Sequence, residues 1–269
     1  MLDVDTLCRF LDEFAPAGLA EEWVNVGLLV GHRDRPVRKL MTCLTITPAS
    51  LAEAVETQVD LIVTHHPLPF RAVKRITGDT VVGRLLLSLA EARIAVYSPH
   101  TAFDSAAGGI NQRLADGLEL SEVRPLVAKP LASGAGGEGE TDLGAGRVGR
   151  VSSPLTWDEF AARVKQFLRL DRLQVVPTNR AIERVAVACG SAGELLEPAL
   201  RAGCDALVLG ETNFHTCLEA EARGIGLVLT GHFASERFGV EQLAVLLARQ
   251  FPAAHVWASR READPLHWA

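Results

Sequence analysis

The chain has 269 residues, of which 48% are hydrophobic and 22% charged, so it is long enough for one large or two modest domains. Its formal net charge of -6 and pI near 5.8 exclude a chain-wide attraction to nucleic acid or to an anionic membrane. No apolar run approaches the roughly 18 residues that would span a bilayer. We therefore expect a globular protein with two lobes and no membrane partner.

The five cysteines are odd in number and widely spaced, and none forms a Cys-x-x-Cys pair. A disulfide framework or a structural zinc site is therefore not expected, and a reducing compartment fits best. Cys43 and Cys189 lie in apolar runs and are predicted to be small buried hydrophobic residues. The N-terminus shows no signal-peptide pattern, so we expect a cytoplasmic protein.

Short apolar runs rich in Val, Ile and Leu alternate with stretches of helical periodicity, which is typical of βαβ units around a mostly parallel sheet. In chain order the predicted strands are Leu40 to Ile46, Leu61 to Thr64, Ile94 to Ser98, Val185 to Cys189, Ala206 to Leu209 and Leu227 to Thr230. The predicted helices are Pro48 to Glu56, Val81 to Ala92, one opening at the capping box Thr156 to Glu159, and one with an apolar stripe from Val240 to Leu247. The predicted fold class is α/β.

A composition break falls at Ser133 to Gly149, where seven of the sixteen residues from Gly134 onward are glycine. We interpret residues 131–149 as a linker between an N-terminal lobe, residues 1–130, and a C-terminal lobe, residues 150–269. The segment Gly144 to Gly149 also matches the dinucleotide-binding spelling. That motif requires a strand before it and a helix after it, and neither is predicted here, so no nucleotide cofactor is expected.

Polar side chains follow four of the predicted strands where each strand ends. The strand ending at Thr64 is followed by His65 and His66, the strand ending at Ser98 by His100 and Asp104, the strand ending at Leu209 by Glu211 and His215, and the strand ending at Thr230 by His232 and Glu236. Because ligands bind at the carboxyl ends of strands in open α/β sheets, we expect these imidazoles and carboxylates to lie together.

The spacing of these residues suits metal ions. Adjacent His65 and His66 diverge if the strand pleat continues, which offers one imidazole to each of two ions. His232 and Glu236, four apart at a helix entry, can share one face. A carboxylate can bridge two ions, so Glu236 or Asp104 is the candidate bridge. The nitrogen and oxygen set suits iron, zinc, manganese, cobalt or nickel better than calcium or magnesium.

Each of these residues taken alone has a structural alternative. Adjacent histidines can cap a strand, Asp104 can serve a turn, and His232 can be a satisfied core histidine. Five such residues within a few positions of strand ends favour the metal site over these alternatives.

Several longer stretches together resemble the Nif-three-like dinuclear metal-binding family, whose bacterial members are often named GTP cyclohydrolase 1 type 2 homologs. The stretches are Trp23 to Gly31, Asp60 to Leu68, His100 to Asp104 with Gly109 to Asn111, Gly144 to Gly149, Gly210 and Glu211 with His215, and Gly231 to Glu236. The resemblance covers the chain nearly end to end. It implies the Nif-three-like fold, with the metal site in the crevice between two α/β lobes.

The resemblance also implies a ligand set and an assembly. His65, His66, Asp104, His232 and Glu236 match the family's metal ligands, with Glu236 as the bridge between two divalent transition-metal ions. One ion would take His66 and Asp104, and the other His65 and His232. Three protein ligands for each ion leave positions for water, as in catalytic sites. The family's hexameric ring implies a homohexamer.

Two positions depart from the family pattern. Val24 stands where an Asp is usual, and Thr45 stands where an Asp is common in the strand that begins at Leu40. Neither is a ligand in the family, but both could shape the pocket, so the family's substrate does not transfer directly.

Two functions from different classes remain open. The first is a metal-dependent hydrolase acting on a nucleotide-like small molecule, for which the family name suggests GTP ring opening; His100, Glu211 and His215 would move protons or orient ligands, although each could instead be structural. The second is a non-catalytic metal carrier or regulatory protein. A nucleic-acid binder is disfavoured by the acidic balance and by only 6% aromatic residues.

Overall fold

The computed structural model describes residues 2–129 and 142–267, which contain strands and helices in alternation. The strands are β1 Gly27–Val30, β2 Lys39–Cys43, β3 Leu61–Thr64, β4 Ala95–Ser98, β5 Ser121–Ala128, β6 Gly144–Leu155, β7 Gln174–Val176, β8 Ile182–Val187, β9 Ala206–Leu209, β10 Gly226–Leu229 and β11 His255–Ala258. The α-helices are α1 Val4–Phe14, α2 Pro48–Glu56, α3 Val81–Glu91, α4 His100–Ser105, α5 Ile110–Gly117, α6 Trp157–Leu168, α7 Leu196–Arg201, α8 Phe214–Arg223 and α9 His232–Gln250. The predicted α/β class is confirmed.

The first of two units comprises Met1–Phe103 and Gly239–Ala269. Its five-stranded sheet has the order β1-β4-β3-β2-β11, and every pair is parallel except β1 with β4. β3 is buried along its whole length, as expected for an inner parallel strand covered on both faces. A core that includes Met41, Ile62 and Leu89 packs between this sheet and helices α2 and α3. The mostly parallel sheet agrees with the sequence.

The second unit, Asp104–Phe238, is built on a six-stranded sheet in the order β5-β6-β8-β9-β10-β7. Only β8–β9 and β9–β10 are parallel pairs, so the prediction of a mostly parallel sheet is wrong for this unit. Val185 and Val187 face one hydrophobic cluster, whereas Ala186 and Ala188 face another, because neighbouring side chains of a strand point to opposite faces. The sequence missed β5, β6 and β7 because these strands are partly exposed and lack a continuous apolar run.

The unit boundaries differ from the predicted division at residues 130 and 150. Residues 104–129 belong to the second unit, and the chain returns to the first unit at Gly239. The return is fixed by β11, which pairs in parallel with β2. Local composition cannot reveal a pairing between segments more than 200 residues apart in the chain, so the sequence placed the boundary at the glycine-rich segment instead.

The predicted linker also needs correction. Residues 130–141 lie outside the described residues, but Gly144 to Gly149 form part of β6, which pairs with both β5 and β8. A Cβ at Gly144 would collide with the carbonyl oxygen of Val127, so glycine there serves close packing. The segment is followed by more of strand β6 and not by a helix, in agreement with the exclusion of a dinucleotide site.

Arg147 explains why this glycine segment cannot be a flexible tether. Its side chain is fully buried, and its guanidinium donates to the carbonyl oxygens of Gly144, Gly146 and Ala106. The bond to Ala106 connects β6 to the residue that follows α4. A buried guanidinium with several carbonyl acceptors fixes the backbone around it, because each lost bond would leave a buried polar group unsatisfied.

Among the residues that the structure describes, no helix combines the length and the low polarity needed to cross a bilayer.

Candidate metal site

The end of strand β3 presents two adjacent histidines. The backbone N–H of His65 donates to Cys43 at 3.0 Å and that of His66 to Leu44 at 2.8 Å, so the parallel ladder with β2 continues past the strand. Ser98 at the end of β4 donates its hydroxyl to the His65 carbonyl at 2.7 Å. The strand geometry therefore fixes the backbone from which each imidazole leaves, and the two ring centroids are 5.1 Å apart. The predicted division of these imidazoles between two ions stays a prediction.

His100 adds a third imidazole to this pair. Its ring centroid lies 5.3 Å from that of His65 and 5.8 Å from that of His66. One ligand atom from each of the three rings lies within 4.8 Å of the others, so the group could hold a metal ion. His65 is 2% and His100 6% exposed. His100, predicted to move protons, thus also lies among the donors.

The backbone of His100 is strained in a way typical of functional positions. Its φ of 39° lies in the left-handed region, which residues with a Cβ rarely adopt. Helix α4 begins at this residue, directly after β4 and Pro99. The sharp turn between strand and helix is what brings the His100 ring back toward the end of β3.

Thr45 and Glu262 support His66. The hydroxyl of Thr45 lies 2.7 Å from Nδ1 of His66, which leaves Nε2 for a metal. The Glu262 carboxylate accepts the backbone N–H of Leu44 at 2.8 Å and of Thr45 at 2.6 Å. Sequence reasoning noticed Thr45 only as a departure from a family pattern and missed Glu262, since its role depends on the long-range pairing of β11 with β2.

In the second unit, His232 lies between two carboxylates at the start of α9. Its Nε2 is 3.1 Å from Glu236 Oε2, one helical turn away, and its Nδ1 is 2.9 Å from Glu211 Oε1. The hydrogen bond to Glu236 raises the pKa of His232 to about 9; partial burial opposes the rise and Glu211 adds to it. Glu236 is only 3% exposed. The structure thus brings together three predicted site residues.

Gly190 explains how Glu236 fits so closely against the chain. Gly190 follows Cys189 after the end of β8 and has a φ of 65°. A Cβ there would collide with Glu236 Oε1, so any other residue would displace the carboxylate. Ser235, the neighbour of Glu236, accepts the Gly190 N–H at 2.9 Å.

Asp104 lies beside Cys189 and Asn111. The Cys189 thiol donates to Asp104 Oδ1 at 3.1 Å, and the Asn111 amide donates to the Asp104 carbonyl at 3.1 Å. Burial raises the pKa of Cys189 well above its usual value, and the charges of Asp104 and Glu236 raise it further, so the group stays a thiol. The predicted burial of Cys189 is confirmed, but its hydrogen bond to a site carboxylate was missed.

The remaining predicted residue, His215, occupies an exposed position in the first turn of α8. Its ring contacts that of the neighbouring Phe214, with 6.0 Å between the ring centroids. Its assignment to proton transfer stays a prediction. All five cysteines are free thiols, as expected.

A family model described as Duf34/NIF3 (NGG1p interacting factor 3) matches residues 2–265. The chain belongs to the DUF34/NIF3 family. This confirms the resemblance stated from the sequence motifs, because the match covers both units and every predicted site residue.

Relatives of this DUF34/NIF3 chain agree with that assignment. A GTP cyclohydrolase 1 type 2 homolog of Streptomyces coelicolor is 34% identical, with 95% of this chain and 90% of the relative aligned. A protein of the same name from Clostridium acetobutylicum is 32% identical, with 87% and 85% aligned. The crystal structure of Staphylococcus aureus protein SA1388 matches with a TM-score of 0.88 and 25% identity, covering 100% of this chain and 99% of that chain.

Proposed function

We propose that this protein is a metal-dependent hydrolase with a centre of two divalent transition-metal ions, acting on a nucleotide-like small molecule. The proposed ligands are His65, His66, Asp104, His232 and Glu236. The observation that carries the proposal is the tight group of imidazoles at His65, His66 and His100, of which His65 and His100 are buried. Buried polar side chains that converge in this way rarely serve packing alone.

The donor chemistry fits transition metals. Imidazole nitrogen suits zinc, iron, cobalt and nickel, and carboxylate oxygen widens the set to manganese. Thr45 fixes the His66 ring and Glu211 fixes the His232 ring through Nδ1, which is the supporting contact that metal-bound histidines usually have. Glu236 has two oxygens and is therefore the proposed bridge.

A pair of such ions would lower the pKa of a water to about 7 and polarise the bond under attack. The protein's own residues would do the rest. Glu211 would hold His232 in one orientation, and His100, buried beside His65 and His66, is placed to hold or transfer a proton near the reacting group. The name that the relatives carry makes a purine nucleotide the first substrate class to test.

The test combines metal content with turnover. Purified protein loaded with each candidate metal should hold about two ions per chain and should hydrolyse at least one member of a nucleotide panel. Only trace metal after anaerobic purification and reloading would overturn the proposal. Two bound ions without turnover on any nucleotide would favour the alternative, a metal carrier or regulatory protein.

The resemblance to the family also leads us to propose a homohexamer. Light scattering at micromolar concentration should give about six times the chain mass of 28.9 kDa. A monomer in that measurement would contradict this part of the proposal without affecting the metal ligands.

A further inference from the structure

An exposed aromatic cleft opens beside the histidine group of the first unit. Trp23 is 66% and Phe70 44% exposed, and their ring centroids are 6.0 Å apart. The Trp23 ring also meets His100 edge to face at 6.0 Å, and Phe70 meets His100 at 5.7 Å. One face of a large indole is thus left open to solvent next to an imidazole of the candidate site.

The cleft has a volume of about 660 Å³, enough for a nucleotide-sized molecule. Its lining mixes aromatic, polar and cationic side chains: Trp23, Val24, Asn25, Phe70, Arg71 and Ala72. Asn25 donates its amide to the Pro69 carbonyl at 3.4 Å, which ties the two walls together. The lining is therefore suited to a planar ring with polar edges better than to an aliphatic chain.

The wall of the cleft that follows Phe70 is cationic in an otherwise acidic chain. Arg71, Lys74 and Arg75 are all exposed, and no acidic residue occurs between His65 and Gly78. Arg71 has no ion-pair partner among the residues that the structure describes. A guanidinium at the rim of an aromatic cleft, in a protein of net charge -6, favours an anionic group such as phosphate.

We propose that this cleft is the substrate subsite, where a planar heteroaromatic ring stacks on Trp23 and the attached phosphate pairs with Arg71. This inference rests on the proposed hydrolase, since the cleft borders His100 and so leads a bound ring toward the donors at His65 and His66. A second copy of the chain would have to bring matching acidic groups to the same cations. A small anionic ligand with a planar ring would cover the open face of Trp23 and would pair with the charge of Arg71.

The experiment measures binding of three probes to the full-length, metal-loaded protein by calorimetry. The probes are guanosine 5′-monophosphate, guanosine, which lacks the anion, and ribose 5-phosphate, which lacks the ring. Trp23→Ala should weaken the monophosphate by about 5- to 150-fold, the range for loss of one base–aromatic stack. Arg71→Ala should weaken it about tenfold and leave guanosine unchanged.

Matched controls come from equally exposed side chains elsewhere. Phe214→Ala removes an exposed aromatic residue of the second unit, and Arg249→Ala removes an exposed cation; both should bind the monophosphate like the wild type. Because Trp23 is largely exposed, its variant should unfold at the wild-type temperature, which excludes a folding defect.

Three results would overturn the inference. One is unchanged affinity in both Trp23→Ala and Arg71→Ala, and another is no binding of any probe at about 1 mM. The third is a change of oligomeric mass in Trp23→Ala, which would show that a second copy of the chain occupies the cleft. Binding that needs Trp23 without GTP turnover leaves the subsite standing and removes the hydrolase, whereas turnover that ignores Trp23 does the reverse.

Discussion

The first unit gathers imidazoles, whereas the second gathers carboxylates around one imidazole. His65, His66 and His100 lie where two neighbouring parallel strands, β3 and β4, end. His232 lies between Glu211 and Glu236, whose hydrogen bonds and charges raise its pKa. The first set therefore offers a cation imidazole nitrogens, whereas the second offers it mainly carboxylate oxygens.

The two units differ in what they could contribute to metal binding: the first contributes nitrogen ligands, and the second contributes negative charge. Nitrogen donors in the first unit select for transition metals over calcium or magnesium. In the proposed centre, carboxylates of the second unit would supply the negative charge that a divalent ion requires. The proposed centre combines imidazole and carboxylate ligands, so variants of the two kinds should fail in different ways.

The largest expected effect comes from removing one imidazole from each set. His65→Ala and His232→Ala should each lower hydrolytic turnover by about 100-fold or more, because an ion supplies several kcal/mol of transition-state stabilisation. Steady-state kinetics on the best nucleotide, with metal content measured on the same samples, tests this. His32→Ala, an exposed histidine of the first unit, is the control and should keep full turnover.

Full turnover in His65→Ala and His232→Ala after loss of metal would contradict the proposal that the protein is a metal-dependent hydrolase. Substrate KM should change little in both variants, since the loss acts through the metal and not through binding of the ring.

The second expected effect distinguishes the carboxylates. Glu236→Gln should lose about two ions per chain and Asp104→Asn about one, because a bridge serves both ions and a terminal ligand one. Elemental analysis after dialysis without chelator measures both. Equal losses would show that Glu236 is not a bridge, and full metal retention in Glu236→Gln would show that Glu236 is not a ligand.

Much of the candidate site could be predicted because short local patterns in the sequence mark the strands and the polar residues that follow them. Apolar runs located β2, β3, β4, β9 and β10, and the polar residues that follow them include the candidate donors of both units. The capping box at Thr156 and Glu159 is present at the start of α6 as expected.

What the sequence could not predict depends on contacts between distant segments. Glu262 reaches Thr45 only because β11 pairs with β2, and Cys189 reaches Asp104 across 85 positions. The glycines near Arg147 predicted a flexible linker, although the buried Arg147 guanidinium donates to the carbonyl oxygens of Gly144 and Gly146 within β6. Composition shows which structures a segment can form, and packing against distant segments decides which of them it forms.

The third expected effect tests the support of His66. Thr45→Val keeps the side-chain shape but removes the hydroxyl that contacts Nδ1, so metal affinity should fall about tenfold, at the low end of the range for supporting contacts. Thr45→Ser retains the hydroxyl and serves as the matched control. Competition with a coloured chelator measures both affinities, and equal values in Val and Ser variants would deny Thr45 this role.

The smallest expected effect on metal binding concerns Glu53, a carboxylate that is as buried as Glu236 but serves the fold. It is 4% exposed and accepts hydrogen bonds from Trp257 Nε1 at 3.0 Å, from the Ser259 hydroxyl at 2.7 Å and from the backbone N–H of Arg260 at 2.9 Å. Burial alone would raise the pKa of Glu53, but these bonds outweigh it and lower the pKa below the ordinary 4.5.

Glu53→Gln should therefore lower the free energy of unfolding by about 2 kcal/mol at pH 7, because a charged acceptor is lost, without any loss of metal. Since the folded-state pKa is depressed, the Glu53 contribution is complete above about pH 4.5 and disappears as the pH falls through the lower folded value. Denaturant unfolding of wild type and variant at several pH values should show two curves that converge in acid. A constant difference down to the lowest pH, or metal loss in Glu53→Gln, would contradict the assignment of Glu53 to the C-terminal strand and of Glu236 to the proposed metal centre.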